Sequence, residues 1–490
     1  MNKKIIIAGV VVLLALDGFL KRDFFLRFLP KGGLNSHALT IVLNTEAADL
    51  SPYSLNLNDR TRTANIYEGL MAFDPSLKII PSLATTWGNI DARTWEFKLR
   101  RGVLFQDGQS FVAEDVTRSF DEAKTKGGGE IKSLLATIRE IKIIDPQTIR
   151  VITREPDPLL LSKLTAFMIT RPGNTGTGPY KLAAMTQSGT GISLTAFQDY
   201  WGPLPTFKNV LYAVTETQGA RQADFYQGKT DILAAVPRDQ AIHMENVKTM
   251  QMGDPIRRSY SLEVSFLLFN LKNELLKDRA LREKIQSLLD PKKIEAIGNR
   301  FVRRVSQFVA PGVFGYNDRI ALVPFDPAKK TVDIFSGKRK KIALDYSETY
   351  ETLAQYLNSE LRQAGFSVTL NSLPADALLQ RLKDNASDLY LIGWQAENGD
   401  AGDFLNAFIH SDGAFNGGRY ANPAVDKLIE QSRVEIDPKK RLTLLQSIMQ
   451  KLNDDLIGLP LFESTRLYAV RPDVMWKPRL DGLVLAKEVK

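Results

Sequence analysis

The sequence predicts an α/β protein, and three observations lead there. Between residues 341 and 393, strand and helix patterns alternate as βαβαβ, which calls for parallel strands joined by right-handed crossovers. The chain has 490 residues, too many for one compact domain and enough for roughly three domains or lobes. Its composition, 44% hydrophobic and 24% charged, is that of an ordinary globular protein and excludes disordered, collagenous and coiled-coil classes.

Taken in chain order, Leu39–Leu43 reads as a strand and Asp49-Leu50-Ser51-Pro52 breaks it. Thr61–Leu70 has helical spacing and ends at Gly69. Thr94–Leu99 alternates with period two, as a half-buried strand does. Asp107-Gly108 is a turn, Ala113–Lys124 a helix, and Lys126–Gly129 a flexible loop. Asn174–Tyr180 is punctuated by Gly and Pro, which suits a crossing between lobes. The βαβαβ unit then comprises Lys341–Tyr346, a helix over Tyr350–Ala364, Phe366–Leu370, a helix over Ala375–Lys383, and Leu389–Gly393. Its first helix buries Leu353, Leu357 and Leu361 and stops at Gly365, where a cap glycine belongs. Asp437-Pro438 opens a long helix by N-cap and N1 proline, with Leu442, Leu445, Met449 and Leu452 as its buried stripe.

Much chemistry is excluded. The chain has no Cys, so disulfides, thiol nucleophiles, Cys-zinc sites and iron–sulfur clusters are out. Its 3 His residues (His37, His243, His410) are far apart in sequence, and only His410, near the 394–403 segment, is a candidate metal contact. Gly228-Lys229-Thr230 imitates the end of a phosphate loop, but Ala223 stands where the first glycine is required. Neither a G-x-S-x-G elbow nor a G-x-G-x-x-G after a strand occurs. No carboxylate pair stands out, so the chain reads as a non-enzyme without a cofactor.

Charge is unevenly spread. Within residues 1–35, Lys3, Lys4, Lys21, Arg22, Arg27 and Lys31 face only Asp17 and Asp23, which accounts for half of the formal net charge of +8. The longest basic run, Lys338–Lys341, reads as a solvated loop before a strand, so no nucleic-acid partner is expected. A basic head at Met1–Lys4 precedes the apolar run Ile5–Leu16. Extended to Leu20, that run gives about 16 residues, near the lower limit for a span. Residues 1–35 are therefore expected to be a signal peptide or an anchor in the cytoplasmic membrane through residues 5–20. Either one leaves the body extracytoplasmic, because Lys3 and Lys4 favour a cytoplasmic N-terminus.

The most informative segment is Gly393–Phe404, Gly-Trp-Gln-Ala-Glu-Asn-Gly-Asp-Ala-Gly-Asp-Phe. It begins at the carboxyl end of a βαβαβ strand, where ligands of open α/β sheets bind. It offers an aromatic wall in Trp394, acids at Glu397, Asp400 and Asp403, and glycines that let backbone approach a ligand. An acidic surface loop beside a core tryptophan would read the same way.

The segment resembles the Gly-Trp-x-x-Asp-x-x-Asp-Pro-x-Asn-Phe signature of ABC-importer substrate-binding proteins of the dipeptide/oligopeptide and nickel group, solute-binding protein family 5. Gly393, Trp394, Asp400 and Phe404 match it, while Glu397, Ala401 and Asp403 replace the usual Asp, Pro and Asn. Further resemblances run from about residue 40 onward, in family order. They are Asn65–Leu70, Phe105–Gly108 with Ala113–Val116, Gly176–Tyr180, Gly228–Ile232, Leu281 to Asp290, and Arg419–Ile429.

The resemblance implies a two-lobed, periplasmic-binding-protein-like fold of class II with an extra small domain. Lobe one would comprise 36–65, 177–262 and 455–490, the extra domain 66–176, and lobe two 263–454. The implied function is to bind short peptides between the lobes by hinge closure and deliver them to ABC permease subunits, as a monomer. Glu397 would take the peptide ammonium, and backbone around Trp394, Gln395 and Ala396 would bond the ligand main chain, with Asn398 and Asp400 beside it. Dipeptide binders carry an arginine near the end of the strand that here reads Leu344-Asp345-Tyr346, so strict dipeptide recognition is not expected. Two alternatives stay open: a nickel or metal-chelate binder of the same fold, and a membrane-anchored interaction or chaperone-like protein that kept it. N-terminal sequencing of the exported form is expected to give Met1 or a start between about 20 and 38. A body reachable only from the cytoplasmic side would overturn the topology.

Overall fold

The computed structural model describes residues 38–490 except 46–49, 174, 186–190, 216, 247–253, 331–332 and 397. The expected leader or anchor at 1–35 and the expected ligand residue Glu397 both lie outside the described residues.

Two long antiparallel strands, Ile256–Phe269 and Gly458–Val470, form the spine of an eleven-stranded mixed sheet. On one side the sheet continues through Ile232–Leu233, Leu39–Leu43, Asn209–Val214, Ile192–Ala196 and Tyr180–Met185. On the other it continues through Leu389–Gln395, Lys340–Ser347 and Phe366–Leu373. The fold is two-lobed, and both lobes share the spine. The spine ladder is irregular at two places, a shift between Ser265 and Phe266 and a wider break where Tyr260 pairs with Thr465 and the next partner of the strand is Val264, opposite Glu463. Inside the break Leu262 has φ +59°, and its N–H donates to Glu463 Oε1 at 3.1 Å instead of to a strand partner.

The expected βαβαβ unit is present. Lys340–Ser347 pairs in parallel with both Phe366–Leu373 and Leu389–Gln395. Alternation sorts its side chains between two cores, Val264, Phe266, Tyr390 and Ile392 on one face and Leu267, Phe269, Leu389 and Leu391 on the other. Leu353, Leu357 and Leu361 are buried as expected, and Gly365 has φ +100°. The helix Pro438–Asp455 is also where expected, with Asp437 accepting from Lys439 N and Lys440 N. Leu445, Met449 and Leu452 of its expected stripe are buried, joined by Ile448. Arg441 is buried and Leu442 is not, because Arg441 has a buried carboxylate partner described below.

A four-stranded antiparallel sheet stands apart, in the order Ala84–Asp91, Thr94–Leu99, Thr148–Thr153, Ile138–Asp145. The helix Ala113–Lys126 shares its core, with Phe97, Phe105, Val116 and Phe120 buried together. The glycine run after it is no flexible loop. It turns tightly into a second helix, Gly129–Leu134, and a Cβ on Gly127 would lie 2.3 Å from Ile131. Two chain segments connect this unit to the main sheet side by side. Gly178 N donates to Ile66 O at 2.9 Å and Tyr180 N to Asn65 O at 3.0 Å. A Cβ on Gly176 would sit 2.0 Å from Ile66 O, so the crossing demands glycine.

One helix falls elsewhere than expected. The helical turn is Leu57–Thr63, and Glu68–Gly69 is a short strand. Asn56 caps its start, accepting from Asn58 N and Asp59 N. Asn65 ends it by donating to Thr61 O at 2.8 Å, which supplies a carbonyl partner that another turn would have supplied. The same side chain donates to Tyr212 OH at 2.8 Å and accepts from Ala486 N at 3.0 Å. Asn65 is fully buried and joins three remote segments of lobe one. Asn65→Ala is expected to cost about 2–3 kcal/mol in urea denaturation, since it removes a buried donor from Thr61 O and Tyr212 OH and a buried acceptor from Ala486 N. A loss below about 0.5 kcal/mol would show that these bonds are replaceable, the scale of an ordinary surface change.

Candidate ligand-binding cleft

Leu389–Gln395 brings the informative segment to the carboxyl edge of the sheet. Trp394 and Gln395 point to opposite faces there. Trp394, opposite Val264, packs edge-on against Phe408 at 5.1 Å between ring centres. Gln395 opens into a cavity of about 470 Å³ lined also by Arg238, Ser261, Glu263, Tyr350 and Arg466. Arg238 follows Ile232–Leu233 on one side of the spine and Tyr350 follows Lys340–Ser347 on the other, so the cavity draws on both wings of the sheet. Tyr350 OH donates to Glu263 Oε1 at 2.9 Å and accepts from Ser265 Oγ at 2.9 Å. Burial first, and then the Glu263 charge, hold this phenol well above its ordinary pKa, so it stays a neutral donor. Gly393 is required for the pair: a Cβ there would lie 2.4 Å from both Glu263 Oε1 and Tyr350 OH.

The strand edge beside the cavity is only partly used. Pairing with Lys340–Ser347 ends at Tyr346 opposite Leu391, so residues 392–395 have no ladder partner on that edge among the described residues. Their other edge is fully paired with Ile256–Phe269.

The loop that follows is held from several sides. Ala396 N donates to Leu262 O at 3.2 Å and Gly399 N to Ala396 O at 2.9 Å. Phe314 N donates to Gly399 O at 2.7 Å, and Ala401 N donates back to Phe314 O at 2.9 Å. Asn398 Nδ2 donates to Asp403 Oδ2 at 2.9 Å, while burial raises the Asp403 pKa. Asp400 lies on a buried two-pronged pair with Arg441, at 2.5 and 2.8 Å, and also accepts from Gly402 N. Arg441 Nε donates to Ser432 O at 2.9 Å, which completes the guanidinium's planar fork.

Among the expected site residues, Gln395 thus lines the cavity. Trp394 backs the strand end, Ala396 is buried at the start of the loop, and Asn398 and Asp400 are engaged in the loop's own framework. His410 lies away from the cavity lining, its Nδ1 accepting from Asp412 N at 3.2 Å and its Nε2 3.5 Å from Glu430. No group of three or more potential ligands that could hold a metal ion occurs among the described residues. Arg238, Glu263 and Tyr350 escaped sequence reasoning because they come from three separate segments without a local motif. A larger cavity, about 540 Å³, lies against residues 321–326 and is lined by Leu322, Pro324, Phe325 and Leu459. Its lining includes no residue of Leu389–Gln395 or of the loop after it, so the smaller cavity, at the carboxyl end of that strand, is the better candidate.

The Asp400–Arg441 pair is predicted to hold the loop. Asp400→Ala should cost about 3–5 kcal/mol in denaturant unfolding, because it strands a buried guanidinium. The double variant Asp400→Leu with Arg441→Met should recover much of that loss. Equal losses in the single and double variants would remove the pair as the cause.

Residues 78–416 match the family described as bacterial extracellular solute-binding proteins, family 5. The chain is 24% identical to the dipeptide-binding protein of Escherichia coli, over 91% of this chain and 94% of that one. It is equally 24% identical to the nickel-binding protein NikA of Staphylococcus aureus, over 91% and 92% of the two chains. Among solved structures, a nickel ABC transporter protein from Bacillus halodurans superposes with a TM-score of 0.82 at 22% identity, covering 92% of this chain and 99% of that one. With the family match spanning most of the sequence and the two-lobed fold in agreement, the chain belongs to the bacterial extracellular solute-binding proteins of family 5.

Proposed function

We propose that this chain is the substrate-binding component of an ABC importer, capturing short peptides between its lobes and delivering them to permease subunits. The observation that carries the reading is the unpaired strand edge at 392–395 beside a cavity bounded by both lobes. An extended peptide can add there as a further strand, with main-chain bonds giving affinity whatever the side chains. The naming of the Escherichia coli relative as a dipeptide-binding protein supports the same ligand class. No bond is made or broken in this function.

In this reading lobe one comprises 36–65, 177–262 and 455–490, with the extra domain at 66–176 and lobe two at 263–454. The lobes close by bending at the ladder break around Leu262. Glu397 takes the ligand ammonium, and residues 1–35 direct the body across the cytoplasmic membrane or hold it there. Nickel-binding relatives make a metal chelate the competing ligand.

Native mass spectrometry of protein purified without refolding is expected to show peptide masses carried through. Calorimetry then tests Glu397. Glu397→Gln should weaken a free-amine tetrapeptide by about 2–5 kcal/mol, because a charge closed away from water loses its partner. The N-acetylated peptide should bind poorly to both forms. Equal binding of free and acetylated peptides would remove Glu397 from the site, and a bound metal chelate with no peptide binding would overturn the ligand class.

A further inference from the structure

We propose that Arg238 is the anchor for the ligand's carboxylate, facing the cleft from the lobe opposite Tyr350. The inference rests on the reading that the cleft takes short peptides. Arg238 opens the helix Arg238–Asn246, which is tied to the spine just before it by Val236 N donating to Leu467 O at 2.9 Å. It lines the cavity, half-buried, and makes no hydrogen bond or ion pair with the described residues. Three of the buried arginines have their partners within the chain. Arg282 spreads over four carbonyls, Arg441 takes Asp400, and Arg479 takes Asp481 and Glu488.

With Glu397 left to the ligand ammonium, the described lining has a cation to spare. The described lining carries two cations, Arg238 and Arg466, and one carboxylate, Glu263, which is already occupied by Tyr350. Arg466 is committed elsewhere, its Nη1 donating to Leu480 O at 3.0 Å and its guanidinium packed against Gly482. Lobe two offers no substitute at the end of Lys340–Ser347. There Asp345 is fully buried and binds Arg381 and Asn371. A half-buried guanidinium facing the cleft gains a strong, two-pronged bond when a carboxylate arrives, and that bond would join the lobes.

The test is calorimetry of one tetrapeptide, free and C-amidated, with the wild-type chain, Arg238→Gln and Arg238→Lys. Amidation is expected to weaken wild-type binding about tenfold or more, as loss of a charged hydrogen bond does. Arg238→Gln should weaken the free peptide by a similar factor and leave the amidated peptide within about twofold, a difference near the noise of such interaction energies. Arg238→Lys should restore part of the loss. Equal wild-type affinity for the two peptides, or equal weakening of both by Arg238→Gln, would overturn the inference. Failure of the wild-type chain to bind either peptide would instead overturn the peptide reading, and the carboxylate anchor with it. The melting temperature of Arg238→Gln should match the wild type, which separates loss of the anchor from loss of the fold.

Discussion

Everything in this molecule is hung from one antiparallel pair, Ile256–Phe269 against Gly458–Val470, and that pair depends on Glu463. Where the ladder breaks, this fully buried carboxylate accepts from Leu262 N with one oxygen and from Arg303 Nε with the other, at 3.1 and 2.5 Å. Burial pushes its pKa up, while Arg303 and the Leu262 amide pull it down. The break would otherwise leave a buried amide without a partner. With Glu463 in place the spine can skip a stretch of its ladder without leaving the Leu262 amide unbonded.

The cleft inherits its geometry from the same place. Ala396 is hydrogen-bonded to Leu262 O, so the loop after Trp394 starts at the ladder break itself. At its far end Asp400 is clamped by Arg441 on the long C-terminal helix. Between these two fixed points lies the position that the family resemblance assigns to the ligand ammonium. The side chains that could vary without cost here are few, because Gly393, Glu263 and Tyr350 interlock within contact distance.

Local pattern carried the βαβαβ unit, the capped helix from Pro438 and the Gly365 stop, since each depends on periodicity or on one residue's backbone preference. Tertiary bonds decided the rest. Asn65 ended a helix early by reaching strands and a C-terminal segment that no window of sequence contains. Arg441 took a stripe position that hydropathy assigned to leucine, because its partner lies 41 residues away. The loop signature was legible as a motif, but Asp400 within it is engaged in framework bonds. Residues 238, 263 and 350 meet only once the sheet is assembled.

The threading of lobe one sets an order of events during biosynthesis. Leu39–Leu43 is among the first described elements, yet its neighbours are Asn209–Val214 and Ile232–Leu233, and the latter pairs with the last strand of the sheet. The core around Leu39 and Ile41 also includes Val484, Ala486 and Val489, within the final seven residues. The N-terminal strand must therefore wait for residues 209–233 before it can pair, and the core around it is complete only once residues 484–489 have been made. Local units such as the four-stranded sheet and the βαβαβ unit can form as they emerge, whereas the pairing of the N-terminal strand is the slow, non-local step of the fold.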